Sequence, residues 1–388
     1  MKASRIFSAA ALAALVILSA GCKKHQWRPE PGSQIRFRAV SDASARPAET
    51  KTAYSGKYFA SETAGQYVER VDWVEGDRIS VGYVVRTGSD FTYAGYDNYA
   101  VSSVTASDVK SNATLVPADG NGLKWQEGTY HGFYGTYPTC TDLDGFQFDI
   151  VDNAVKYIVP CEYPKEQVVT LSAGKEARLY NGNLLSEKVY DPDMKYAWFL
   201  ANGSWTGQGG TVNLSFEPHV TTFEFTVDCA EDVEESLTIA SFEMEDANAP
   251  LSGTCLWSVN SEGQTSDTPA EDVSKKVKVW FNADHDPITL EKGKPITFSV
   301  LTPCTYDKKA VTITFNLLVD GASVPRKLKL KTNAETGLNV DGEGEKNYGI
   351  TFGSSLKHRI FNLFIPQALT PDGWFEATDA GGYTNQDW

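Results

Sequence analysis

The chain has 388 residues, 41% of them apolar and 22% charged, which excludes wholesale disorder and admits two domains. Acidic residues outnumber basic ones, 50 to 35, for a formal charge of −15. A nucleic-acid binder needs a basic face to meet phosphates, so nucleic acid is excluded as a partner.

The chain opens on a targeting pattern. Lys2 and Arg5 flank the start of an apolar run from Ile6 to Leu18. A spanning helix needs about 20 apolar residues, so this shorter run reads as a secretion signal over residues 1–21. Ser19-Ala20-Gly21 before Cys22 resembles a bacterial lipobox, in which the Cys is acylated, with palmitate for example, and becomes the first residue. An ordinary cleaved signal with an unrelated Cys is the alternative. Residues 22–50 then read as a polar tether followed by a first strand, Gln34 to Val40. Ile35, Phe37 and Ala39 alternate there with Gln34, Arg36 and Arg38, so the apolar set faces inward. No later stretch approaches 18 uninterrupted apolar residues.

Period-two alternation recurs along the rest of the chain. Val212, Leu214 and Phe216 alternate with polar residues, as do Phe223, Phe225 and Val227, then Ile296, Phe298 and Val300, then Val311, Ile313, Phe315 and Leu317. Each run is short and bounded by Gly, Pro, Asn or Asp, which supply turns. One face of each strand therefore packs inward and the other meets water, as in antiparallel sheets. Helical signals are confined to Ser102–Lys110 and Ala230–Glu235, each room for a turn or two. Asp191-Pro192-Asp193 and Asp284-His285-Asp286 read as turns, and Asn260–Asp272 as a polar loop. The glycine-rich stretch Ala201–Gly210 suggests a boundary, with residues 51–205 and 206–388 forming one unit each. The expected fold class is all-β, with two antiparallel β-sandwich domains and a terminal segment.

Catalytic chemistry has no foothold here, and the expectation is a protein that is not an enzyme. The histidines, at positions 25, 131, 219, 285 and 358, are too far apart in sequence to make a local zinc site. No H-E-x-x-H, C-x-x-C, G-x-S-x-G or P-loop pattern occurs. Asp142-Leu143-Asp144-Gly145 with Asp149 lacks the remaining ligands of a calcium loop and reads as a solvated turn. No metal or cofactor is expected. Besides Cys22, the cysteines at 140, 161, 229, 255 and 304 are odd in number and widely spaced, and buried thiols are their default. Trp27, Trp125, Trp198, Trp205, Trp257, Trp280, Trp374 and Trp388 could stack on sugars, but large aromatics are also the staple of β cores.

Four segments together resemble the Bacteroidales-type fimbrillin family, lipoprotein-derived subunits of a pilus. The first is Lys51-Thr52-Ala53-Tyr54-Ser55-Gly56, followed by Trp73-Val74-Glu75-Gly76-Asp77-Arg78-Ile79, similar to the family's K-T-x-Y and W-x-x-G-D-x-I elements. The second is Gly132-Phe133-Tyr134-Gly135-Thr136-Tyr137-Pro138. The third is Val212 to Val227, where Phe216 and His219 resemble an F-x-H element lengthened by one residue. The fourth is Tyr348 to Leu363.

The resemblance implies a fimbrial subunit, structural or at the tip or anchor, lipid-anchored through Cys22 to the cell outer membrane and displayed at the surface. Its partners would be other fimbrial subunits, with host proteins or glycans as further ligands in cell adhesion. It also implies assembly by strand addition. An Arg-specific protease removes the first strand, and a neighbour's strand fills the groove. Here the exchanged strand would carry Ile35, Phe37 and Ala39, and the processing candidates are Arg38 and Arg46. Pro47 follows Arg46, which tilts the reading toward an anchor or tip subunit. The rival reading is a glycan-binding surface lipoprotein, marked by a row of open Trp or Tyr faces.

Overall fold

In the computed structural model the described residues are 30–41, 53–60, 67–107, 110–178, 184–204, 210–259, 265–269, 272–303, 311–329, 331–333, 337–339, 349–352 and 356–367. They form 28 strands and a single 3₁₀ turn. In the first half these are β1 (Arg36–Ser41), β2 (Ala53–Ala60), β3 (Tyr67–Asp72), β4 (Arg78–Thr87), β5 (Asp90–Ser107), β6 (Lys110–Pro117), β7 (Tyr130–Tyr137), β8 (Gln147–Val151), β9 (Ala154–Tyr163), β10 (Glu166–Leu171), β11 (Ala177–Arg178), β12 (Leu184–Ser186), β13 (Lys188–Pro192) and β14 (Phe199–Ser204). The second half holds β15 (Thr211–Pro218), β16 (Val220–Cys229), β17 (Ser236–Asp246), β18 (Gly253–Val259), β19 (Thr265–Pro269), β20 (Lys276–Trp280), β21 (Ile288–Glu291), β22 (Ile296–Pro303), β23 (Val311–Val319), β24 (Ala322–Lys329), β25 (Lys331–Asn333), β26 (Gly337–Asn339), β27 (Gly349–Phe352) and β28 (Leu356–Ile365).

The all-β class follows from the alternation, and the strands that carry it bury the expected face. β15 alternates exposed and buried along Thr211–Phe216, and β23 alternates buried and half-buried. Where both faces are covered, as in β16 and β22, nearly every residue is buried.

The arrangement is more closed than a pair of separate sandwiches. Seven strands form a barrel in the order β1-β15-β14-β7-β4-β5-β6, and β6 pairs back onto β1. Closure leaves this sheet no free edge. The barrel's interior is one aromatic-rich core shared with β9 and β18. A second, eleven-stranded sheet runs β24-β23-β17-β20-β10-β13-β22-β16-β28-β27, with β21 on β17. It folds back on itself: Phe225 on β16 lies 4.9 Å from Phe242 on β17, and Phe298 on β22 lies 5.1 Å from Phe242, ring centre to ring centre.

Strands from the two halves of the chain interleave. β10 and β13 lie between β20 and β22 in the eleven-stranded sheet. β15 pairs with β14 and β1, and β18 pairs with β9. A buried side chain seals one junction. Gln167 donates its amide to the carbonyl of Leu301 at 2.6 Å and accepts the Leu301 N–H at 3.0 Å, so it acts as a piece of strand backbone.

Three local readings need correction. Ser102–Ser107 is not helical; it is the end of β5. The register shifts between Val101 and Ser103, and this bulge breaks the period-two pattern that marks a strand. Asp191 lies in β13 and not in a turn, while Asp193 caps the 3₁₀ turn Met194–Tyr196. The polar segment after Asn260 contains β19, an edge strand on β18. The turn at Asp284-His285-Asp286 stands as read, with Asn282 accepting the Asp286 N–H at 2.9 Å.

Candidate strand-exchange site

β1 is the stave that closes the barrel. It lies between β6, antiparallel to it, and β15, parallel to it. Phe37 faces Leu115 across one border and Val212 across the other. The sequence dictates the facing: Ile35, Phe37 and Ala39 are at most 2% exposed, while Arg36 and Arg38 project outward. The residues before β1 are stitched as well. Gly32 donates to the Trp125 carbonyl, Trp125 to Ser33, and Ile35 to Leu123, each at 2.8–2.9 Å.

Phe37 inserts into an aromatic bed. Its ring meets Tyr99 edge-on at 5.1 Å and Phe133 at 5.4 Å. Tyr83 stacks on Phe133 at 4.8 Å, and Trp125 meets Phe133 at 5.9 Å. Beneath them lies His131, 3% exposed, with Nδ1 2.7 Å from the Tyr83 hydroxyl. That hydroxyl also accepts the Gln126 N–H at 3.3 Å, and it donates to Nδ1 when the imidazole carries its proton on Nε2. Burial lowers the His131 pKa, with partial opposition from a backbone hydrogen bond at Gly128. Burial also pushes the Tyr83 phenol up to about 12.

The unfolded chain therefore takes up a proton at this histidine near its ordinary value of 6.5, while the folded chain resists it. Folding stability is full above pH 6.5 and falls as the pH drops from there toward the folded-state pKa. Chemical denaturation of the chain and of His131→Gln between pH 7.5 and 5 checks this. The variant is expected to show a shallower loss of stability, and an equal slope would clear His131 of the effect.

Arg38 and Arg46 fare differently as processing candidates. Arg38 is exposed, but its backbone is paired to Asn213 on one side and Thr114 on the other. A protease needs an unpaired extended segment, so the closed barrel withholds this bond. Arg46 and Cys22 lie outside the described residues, as do residues 1–21 and the chain after residue 367.

The motif residues that are far apart in sequence converge. Trp73 meets Tyr137 edge-on at 5.5 Å and Phe216 at 5.2 Å, with Phe199 at 6.2 Å. Gly76 turns the chain at φ 93°, and Asp77 closes that turn by accepting the Val74 N–H at 2.9 Å. Gly135 is needed because a Cβ there would lie 2.7 Å from the Phe216 ring. The Trp-x-x-Gly-Asp, Tyr-Pro and Phe elements are thus packing and turn devices around one core. His219 sits at its margin, its ring 6.1 Å from Trp257 and its N–H on the Trp198 carbonyl.

Sugar stacking finds little purchase among the described tryptophans. Trp73, Trp125, Trp198 and Trp257 are buried. Trp280 is half-buried, with Lys278 Nζ 4.0 Å from the ring centre and the His285 ring stacked at 4.3 Å. The imidazole stacked on the indole covers at least one face of Trp280. Trp27, Trp205, Trp374 and Trp388 lie outside the described residues. Among the described residues no three His, Cys, Asp or Glu side chains converge to hold a metal. Asp142–Gly145 forms a turn, with Gly145 at φ 88°. No described helix is long and apolar enough to cross a membrane.

Among the described residues a closed seven-stranded barrel, with β1 as one of its staves, accompanies an open eleven-stranded sheet. No family model and no curated protein matches the chain. Among solved structures it is similar to a candidate cell adhesion protein from Bacteroides uniformis, at 10% identity and a TM-score of 0.45, covering 86% of this chain and 93% of that one. A second candidate cell adhesion protein, from Bacteroides ovatus, is similar at 10% identity and a TM-score of 0.41, covering 87% and 93%. A fimbrial assembly protein from Parabacteroides distasonis is similar at 9% identity and a TM-score of 0.33, covering 86% and 91%.

Proposed function

We propose that this chain is an exported fimbrial subunit, lipid-anchored through Cys22 at the outer membrane, whose barrel can release β1 and take an extended segment of another subunit in its place. The observation that carries the reading is the position of β1 between β6 and β15. Its loss opens the barrel and creates two edges at once, each with a row of unpaired N–H and C=O groups. Between them lies an apolar trough shaped by Ile35, Phe37 and Ala39. Burying Ile35 and Phe37 stabilises by about 1.5–3 kcal/mol each, so an empty trough favours any alternating strand that refills it. Cleavage at Arg46 removes the whole of β1 and leaves the rest of the barrel in place. The segment after residue 367 is the candidate donor, since it follows the last described strand and carries scattered aromatics.

The test uses the chain with Pro47→Ala, so that an Arg-specific protease can act after Arg46. After cleavage, the expected products are ladders of oligomers on native gels. A synthetic peptide of residues 30–41, added in excess, is expected to hold the cleaved chain monomeric, and the same peptide with Phe37→Asp is not. Cleaved chain that stays monomeric and binds neither peptide would sink the reading.

A further inference from the structure

We propose that Cys161 and Cys255 form a cross-strand disulfide that staples β9 to β18. The two residues are direct partners in the antiparallel register, between Thr254↔Glu162 and Leu256↔Pro160. Opposed residues share a face, and both side chains point into the barrel-side core, at 0% and 1% exposure. Opposed Cα atoms in an antiparallel pair lie about 4.5 or 5.5 Å apart, according to the bonding of the pair. Both values fall inside the window of about 4.4–6.8 Å that a disulfide requires. Opposed Cβ atoms lie about 4.5–5.5 Å apart and those of a disulfide about 3.8 Å, so closing the bond asks for a shift of about 0.7–1.7 Å.

The other described cysteines are placed elsewhere. Cys140 lies against the Tyr96 hydroxyl at 3.7 Å, and Cys229 donates to the Leu290 carbonyl at 3.3 Å. The bond would join strands that are 94 residues apart in sequence, one from each half of the chain. It would lock the junction through which the two halves interleave.

The chemistry is thiol–disulfide exchange. The Cys161 thiolate attacks one sulfur of oxidised glutathione and releases one glutathione thiolate. The Cys255 thiolate then attacks the Cys161 sulfur of this mixed disulfide and releases the second. Two protein thiols lose two electrons and two protons in total, and one glutathione disulfide becomes two glutathiones. Buried thiols are out of reach in the folded chain, so the bond forms as the chain folds.

The experiment refolds the full-length mature chain from denaturant and dithiothreitol into a buffer of oxidised and reduced glutathione. The folded monomer is isolated, alkylated and digested, and the peptides are mapped by mass spectrometry. The expected result is one linked peptide pair carrying Cys161 and Cys255, with Cys140, Cys229 and Cys304 alkylated. The linked form is expected to melt several degrees higher, a gain that dithiothreitol removes and that Cys255→Val lacks. A triple variant with Cys140, Cys229 and Cys304 changed to Ser is expected to form the same link. Recovery of Cys161 and Cys255 as alkylated thiols, or linkage to any other cysteine, would overturn the proposal. In the cell the bond rests on the export proposed above. Formation in the refolding test with thiols in the cellular protein would count against export alone.

Discussion

Phe37→Ala in the intact chain is expected to lower the free energy of unfolding by about 3–5 kcal/mol, the range for truncating a buried aromatic. The ring is 2% exposed and packed edge-on against Tyr99 and Phe133. Removing it costs the transfer energy of the ring and leaves a cavity that the neighbouring strands cannot close, because β6 and β15 hold β1 by backbone pairing on both sides. Arg38→Ala, one residue on, is expected to change stability by no more than about 0.5 kcal/mol, since its side chain meets water. Urea denaturation of the two variants beside the parent checks both. An equal midpoint for Phe37→Ala and the parent would remove β1 from the core, and with it the trough on which the strand-exchange proposal depends. The contrast between adjacent residues separates a side-chain effect from a general weakening of the strand.

The second large effect is expected at Arg326. This side chain is 2% exposed on β24, yet it reaches the chain leaving β28. Its Nε donates to the Pro366 carbonyl at 3.1 Å and its Nη2 to the Gln367 carbonyl at 2.6 Å. Gln367 N–H is held in turn by Asp232 at 3.2 Å, a carboxylate that also offsets the cost of burying the guanidinium. Arg326→Met keeps the length of the side chain and removes every donor. The buried Pro366 carbonyl left without a partner costs about 1–3 kcal/mol, and the carbonyl of exposed Gln367, which water can reach, adds less, so the loss is expected at about 2–4 kcal/mol. Arg326→Lys is not expected to restore it, because one ammonium cannot reproduce the planar fork. Thermal melts give the stability, and limited proteolysis gives the location: the variants are expected to lose residues beyond Gln367 faster than the parent. A variant that melts with the parent and keeps its C-terminal segment would show that the clamp is idle.

The residues that matter most to the barrel were legible one strand at a time. Alternation in Gln34–Val40 assigned Ile35, Phe37 and Ala39 to the inside and Arg36 and Arg38 to the outside, because the pleat sends successive side chains to opposite faces whatever the strand pairs with. The turn at Glu75-Gly76-Asp77 was legible for the same local reason, through a glycine at positive φ and an aspartate that caps its own turn. Failures occurred where a local pattern was interrupted. The bulge after Val101 erased the alternation of β5, and Asp191, a turn former by type, was recruited into β13 by its neighbours. Arg326 gave no signal at all. An arginine among Lys327 and Lys329 reads as a solvated edge, and its contact with the chain at Pro366 is made across 40 residues.

The amino-acid sequence by itself determined the all-β class, the inward faces of the strands that alternate without interruption, and turns such as Glu75-Gly76-Asp77, since each of these depends on residues within a few positions of one another. Tertiary structure alone decided which strands became neighbours. β1 and β15 are joined across some 175 residues, β10 and β13 are set into the sheet of the other half, and Cys161 is placed opposite Cys255. The physical reason is that closing a longer loop costs only slightly more entropy than closing a short one, about 0.6 kcal/mol for each doubling. Shared burial can therefore choose distant partners, and a pattern with period two is equally satisfied by any of them.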